Sequence, residues 1–363
     1  MREAFLALVR LGIGNAATVA LPDRIDWNEV EVLAKSQGLF AVVFDGVEQL
    51  PQSIRPPLTT WLRWIGELQL EEERYKRQWN EACKLAQLFH QNGIRTYVLK
   101  GNVVSECYPK PQHRVSADFD CFLLNENQNE NEKDVWEKGN QSIEEVGYEV
   151  EKVFYKNSTF RLPGLTVENH SFLTPFRGNK TLRRLEQYLQ GELKEGSKSS
   201  RGSSSSRFEG TELWRPPVMV SALFLIEHAY SHFLHEGLTC RHVLDWVMFS
   251  RKHRVEINWE EFDSRIDEFG FRKFYDAYSR LGQYLIGEIQ VSSFTFLEKK
   301  MLADVWAPLD LHESVRGFKG KLALVGNTWR ARWKYHYFTD ITWFTALWIQ
   351  VKGFVFEKNP TLY

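Results

Sequence analysis

The chain has 363 residues, which allows two or three domains and a large core. Its 46 Lys+Arg against 47 Asp+Glu leave a formal net charge of −1, so no global basic field marks nucleic acid as the default partner. No run reaches the ~18 uncharged apolar residues that span a bilayer, and Met1-Arg2-Glu3-Ala4 opens neither a long apolar leader nor a cleavage site. Cys83, Cys107, Cys121 and Cys240 show no Cys-x-x-Cys spacing and read as buried thiols of a reducing compartment, so the expected location is the cytoplasm.

Residues 1 to about 56 read as short helices. Asp26-Trp27-Asn28-Glu29 starts one, Gln37-Gly38 ends it, and Leu39 to Leu50 is another. Pro51, Pro56 and Pro57 punctuate the chain before the clearest helix, Leu58 to Asn92. Its apolar residues, Leu58, Trp61, Ile65, Leu68, Tyr75, Trp79, Ala82, Ala86 and Phe89, fall three and four apart once Glu72 is added, and make a packing face. Asn92-Gly93 is a C-terminal stop.

Thr96-Tyr97-Val98-Leu99 is a β-branched, apolar run that predicts a strand. Lys100-Gly101 ends it, Asn102 is placed to cap a short helix Val103 to Tyr108, and Pro109 and Pro111 stop that helix. Asp118 to Leu124 reads as the next strand. Acids at i and i+2 of a strand share a face, so Asp118 and Asp120 suit Mg²⁺ ions holding a phosphate chain. Isolated Asp-x-Asp pairs are common in solvated loops. Here Cys121-Phe122-Leu123-Leu124 follows, which predicts burial, and buried carboxylates need a partner or a metal.

Leu99-Lys100-Gly101, Tyr108-Pro109 and Arg114-x-Ser116-x-Asp118-x-Asp120 together resemble the signature of the uncharacterised nucleotidyltransferase family, within the polymerase-β-like nucleotidyltransferase superfamily. The resemblance runs from about Leu39 to Phe249. Ala117 stands where relatives usually have Gly, and Lys-Gly stands where the superfamily more often has Gly-Ser.

A polar loop from Asn125 to Glu132 precedes a helix over Asp134 to Val146. Tyr148 to Tyr155 and Thr159 to Leu162 read as hairpin strands, and Leu165 to Leu173 alternates as another. On it Glu168 and His170 share a face. Alone, Glu168 reads as a surface glutamate. The resemblance places the family's acid-x-His pattern here, with Glu168 as the third metal-site acid and His170 as an accessory group. Arg177 to Leu193 is the next helix. Gly196 to Arg207 is Ser-rich and low in complexity, too polar to offset its ordering entropy, and reads as a flexible loop.

Pro216 to Phe233 opens an apolar helix carrying His228 and His232, and Thr239 to Phe249 carries Arg241, His242 and Asp245. His228, His232 and His235 fall at i, i+4 and i+7, one helical face if the helix persists. Such spacing serves a metal site, but more often it serves packing, hydrogen bonding or nucleotide contact. Ile257 to Gly287 is helical, with a turn at Phe269-Gly270-Phe271. The basic, aromatic stretch Trp329 to Tyr337, followed by Trp343 and Trp348, reads first as a terminal helix packed on its own domain with its basic residues outward. A peripheral membrane or nucleic-acid contact is the alternative.

These readings give an α+β fold: a small mixed β-sheet nucleotidyltransferase core with helical N- and C-terminal regions. The expected division is 1–92 helical, 93–195 core, 196–210 flexible loop and 211–363 helical. The resemblance implies a transferase that moves a nucleoside monophosphate from a nucleoside triphosphate such as ATP, with Mg²⁺ or Mn²⁺, by a two-metal mechanism. Asp118, Asp120 and Glu168 are its catalytic and metal-site acids. Lys100, Gly101, Asn102, Arg114 and Ser116 are candidate nucleotide contacts, and His170, His228, His232, Arg241 and Asp245 are candidate accessory groups. The acceptor is a small molecule, a sugar, tRNA or a protein. A toxin-like enzyme acting on tRNA or protein would use the same site. The readings from other classes are a scaffold with a decayed site and a metal hydrolase built on His228, His232 and Asp245.

Overall fold

The computed structural model describes residues 1–16, 18–126, 131–153, 157–174, 179–196, 204–235, 237–307, 329, 331–339 and 342–345. Three helices open the chain: α1 (Arg2–Gly12), α2 (Trp27–Ser36) and α3 (Phe40–Glu48). The Asp26 side chain caps α2 by accepting from the Asn28 and Glu29 amides. The long helix α4 (Leu58–Gln91) leads into the sheet. Its apolar stripe is used unevenly. Trp64 is buried against α2 and α3, and Ala82, Leu85, Ala86 and Phe89 are buried near the sheet, whereas Leu58 at the first position is 70% exposed.

The sheet elements follow in chain order. They are β1 (Ile94–Val98), α5 (Asn102–Ser105), β2 (Phe119–Asn125), α6 (Glu132–Glu145), β3 (Val150–Val153), β4 (Asn157–Leu162), β5 (Leu165–His170), α7 (Lys180–Gly196), β6 (Ser206–Arg207) and β7 (Leu213–Arg215). The seven strands form one mixed sheet in the order β3-β4-β5-β2-β1-β7-β6. β2 runs antiparallel to β1 and parallel to β5, and β1 is also parallel to β7. The fold is therefore α+β, as the element pattern predicts.

The strands β6 and β7 depart from the expectation. Ser206 and Arg207 fall inside the Ser-rich stretch read as a flexible loop, yet they pair with Arg215 and Trp214 of β7. Two- and three-residue strands carry no readable period; what recruits them is the open edge of β1. Residues 197–203 of that stretch and residues 127–130 of the polar loop lie outside the described residues.

Five further helices follow: α8 (Val218–His235), α9 (Cys240–Lys252), α10 (Trp259–Glu268), α11 (Arg272–Leu285) and α12 (Phe296–Trp306). The turn at Gly270 separates α10 from α11, as the sequence indicates. The terminal helix, residues 331–338, packs on this region, but its basic face is not all outward. Lys334 is buried, donating to Asp304 at 2.7 Å and to the Phe233 carbonyl at 2.7 Å. Trp348 lies outside the described residues. Among the described residues no helix is long and apolar enough to cross a membrane. One apolar core runs from Phe5 through the sheet to Phe338, and Arg10 of α1 donates to the Leu285 and Tyr284 carbonyls, tying the first helix to α11.

Glu227 of α8 lies in this core, 5% exposed. Burial, and then the Glu186 carboxylate, push its pKa up to about 8. A carboxyl raised in the fold contributes stability that is complete below its unfolded value and is lost as pH rises through the folded value. Chemical denaturation of the wild type should therefore show stability falling between about pH 4.5 and 8. Glu227→Gln should remove on the order of 5 kcal/mol of that pH-dependent loss. A wild-type profile that does not change on substitution would show that Glu227 is already ionised in the fold.

Candidate active site

The site forms where the two central parallel strands lie side by side. In the β2–β5 register Asp120 pairs with Glu168, and Phe122 pairs with His170. Laterally paired residues share a face, and alternation adds His170 to the face of Glu168. Asn169, between them, points the other way and donates to Asn140 of α6 at 3.1 Å. The acids thus face away from α6 and toward α8, whose Phe224 ring lies 6.5 Å from the His170 ring.

Asp120, Glu168 and His170 each present a ligand atom, and these atoms lie within 4.8 Å of one another. Asp120 is 2% exposed. Its Oδ1 accepts from His170 Nε2 at 3.0 Å and pairs with Lys100 Nζ at 3.2 Å. Burial works against its charge, but the Lys100 ammonium and the His170 hydrogen bond hold its pKa down to about 2. Burial likewise works against the Lys100 charge, but Asp120, Asp118 and Glu168 outweigh it and hold the Lys100 pKa above its ordinary value. Glu168 Oε2 accepts from Asn157 of β4 at 2.8 Å. Asn157 is a positioning group the sequence reading missed, since nothing in the pattern ties an amide on β4, two strands from β2, to an acid on β5.

The remaining oxygen, Asp120 Oδ2, is buried without a hydrogen-bond partner, and so is His170 Nδ1. Unmet buried acceptors are costly, and a divalent cation would satisfy them. Two carboxylates, one of them with an orphaned oxygen, and an imidazole are a donor set that fits such an ion.

Asp118 is not one of these three residues. It lies just before β2, half-buried, and its backbone carbonyl accepts from Ser116 Oγ at 2.9 Å. The predicted strand began one residue too early. Gly101, at φ +62°, packs its bare Cα against this loop: a Cβ there would meet Ser116 Oγ at 3.2 Å. It also takes the position before α5 that the sequence reading gave to Asn102; Asn102 is the first helical residue. Gly101→Ala should therefore cost on the order of 1–3 kcal/mol of stability and displace the Ser116–Asp118 loop. A melting temperature equal to that of the wild type would refute this.

Arg114 is committed elsewhere. Its Nε and Nη2 donate to the two oxygens of Asp245 at 3.1 and 2.6 Å, and Tyr108 donates to the same carboxylate at 2.8 Å. All three are buried, and the pair pins the loop before β2 to α9. Asp245 is therefore an anchor for Arg114, and among the described residues His228, His232 and Asp245 do not gather as ligands. His228 meets the site through Lys100, accepting from Nζ at 3.3 Å. His235 is exposed and hydrogen-bonds the Ser231 carbonyl, leaving the histidine stripe. His242 of α9 takes its place: ring centroids lie 4.4 Å apart for His228–His232 and 4.8 Å apart for His232–His242. A stripe read along one helix could not reveal a member from the next.

No curated protein and no solved structure matches the chain. A family model described as an uncharacterised nucleotidyltransferase matches residues 23–287, well over half of the chain. That span holds the sheet, the Asp120–Glu168–His170 cluster and the helices above it, and the chain belongs to the uncharacterised nucleotidyltransferase family.

Proposed function

We propose that the protein transfers a nucleoside monophosphate from a nucleoside triphosphate to an acceptor hydroxyl, releasing pyrophosphate. The observation that carries this reading is the convergence of Asp120, Glu168 and His170 on one face of two adjacent strands, with Asp120 Oδ2 unmet. Asp120 and Glu168, with Asp118 beside them, are the residues to hold Mg²⁺ or Mn²⁺. When such ions are bound, Lewis-acid polarisation of phosphoryl oxygen and activation of the acceptor hydroxyl become available.

The chain's own groups have distinct tasks. Asp120 keeps its negative charge at any physiological pH, because Lys100 and His170 favour the ionised form. His170 donates to Asp120 and holds its carboxylate in orientation. Asn157 does the same for Glu168, which takes the proton of the acceptor hydroxyl. Lys100 offsets negative charge on the departing pyrophosphate. Gly101, without a side chain, leaves the backbone open to a phosphate.

The test is incubation of the purified protein with each labelled nucleoside triphosphate, Mg²⁺ or Mn²⁺ and cell extract. The expected result is label on one molecular species, dependent on the divalent ion. Absence of label with all four nucleotides and both ions would reject the reading.

A further inference from the structure

We infer that Arg241, together with Lys100 and the imidazoles of His228, His232 and His242, forms an anion subsite that takes the terminal phosphates of a polyphosphate substrate. This deepens the nucleotidyl-transfer reading and rests on it for the identity of the anion.

Arg241 is the second residue of α9 and is largely enclosed. The α2–α3 turn presses on it: a Cβ at Gly38, whose φ is +67°, would meet Arg241 Cδ at 3.2 Å and Nε at 3.4 Å. On another side its Nη1 donates to the Val115 carbonyl at 3.1 Å, in the loop that carries Ser116 and Asp118. Its Nε is buried and has no hydrogen-bond partner. Among the described residues no carboxylate lies within ion-pair distance of it, whereas Lys100 and Arg114 are paired with Asp120 and Asp245. An enclosed guanidinium with an unmet donor and no counter-ion is costly unless an anion completes it.

The surroundings favour the same occupant. Lys100 joins the two halves of the site, since its Nζ lies 3.2 Å from Asp120 Oδ1 and 3.3 Å from His228 Nε2. Behind it three contacting imidazoles, His228 edge-on to His232 and His232 stacked on His242, continue to α9. Lys100 accounts for part of the downward pull on the His228 pKa, after burial, and Arg241 and Lys100 do so for His242. The imidazoles of His228 and His242 are therefore neutral N–H donors in a positive field. Guanidinium, ammonium and imidazole N–H groups gathered beside a cluster of metal-site acids match a phosphate chain whose reacting end sits at the acids. A purely structural Arg241 would have its donors filled by protein acceptors, as those of Arg114 are.

The test uses the full chain and inorganic tripolyphosphate in metal-free buffer, followed by calorimetry. The wild type should bind it more tightly than sulfate or monophosphate. Arg241→Ala should weaken binding at least ~10-fold, and Arg241→Lys should recover part of the loss. If Arg241→Ala does not fold, Arg241→Met replaces it. In the wild type, tripolyphosphate should also shift the imidazole proton resonances of His228, His232 and His242 but not those of His253, which is held by Glu256 at the far end of α9. Tripolyphosphate binding no tighter than sulfate, or a folded Arg241→Ala that binds as the wild type does, would overturn the subsite. The two readings fail separately. Arg241-dependent binding without label transfer to any acceptor keeps the subsite and rejects the transferase. Label transfer with kcat and KM unchanged in Arg241→Ala does the reverse.

Discussion

Asp120→Asn is expected to lower label transfer at least ~100-fold, about 2.7 kcal/mol of transition-state stabilisation. The substitution keeps the shape of the side chain and a carbonyl oxygen able to accept from His170 and Lys100. It removes the charge that makes Oδ2 a strong ligand for a divalent cation. The loss should appear in kcat rather than in nucleotide affinity, because the missing charge acts where the phosphoryl group is transferred. Folding should be retained, since Asp118 and Glu168 still compensate the Lys100 ammonium. Full transfer activity in a folded Asp120→Asn protein would place the chemistry outside the β2–β5 cluster.

Asp245→Ala is expected to cost about 3–5 kcal/mol of folding stability, measured by chemical denaturation, because it leaves Arg114 enclosed without its counter-ion. Three segments meet at that carboxylate: Tyr108 after α5, Arg114 before β2, and α9 itself. Arg114→Met should cost a similar amount by stranding Asp245. Combined with Asp245→Leu it should recover much of the loss, because two apolar groups of similar volume leave no unpaired charge. Strict additivity of the two single substitutions would show that the pair is not coupled. The same strut holds the loop carrying Ser116 and Asp118 against α9, so a folded Arg114→Met should also lower transfer, through loop placement rather than loss of a phosphate contact.

Much of this protein was legible along the chain. The period of α4, the stops at Gly93 and Gly270, the parity of Glu168 and His170, and the Lys100-Gly101 turn are all local properties. They follow from side-chain direction in helices and strands and from the freedom of a residue without a Cβ. The family resemblance likewise rested on residues close together in sequence, and residues 23–287 match that family.

Other features depended on which elements become neighbours, and spacing along one segment does not encode that. Asp120 and Glu168 are 48 positions apart, and only the parallel β2–β5 pairing sets them side by side. Asp118, one residue outside β2, shares a sequence motif with Asp120 but not its position in the sheet. Only the structure pairs Arg114 with Asp245 of α9, and His242 replaced His235 because two helices pack at the level of Lys100. The short strands β6 and β7 have almost no pattern of their own and form because β1 offers an unpaired edge. The sequence by itself determined the local elements and the chemical types available. The tertiary structure decided which carboxylates share a face, which cations are already paired, and that Arg241 has no carboxylate within ion-pair distance among the described residues, because ion pairing and ligand convergence depend on distances across elements rather than along the chain.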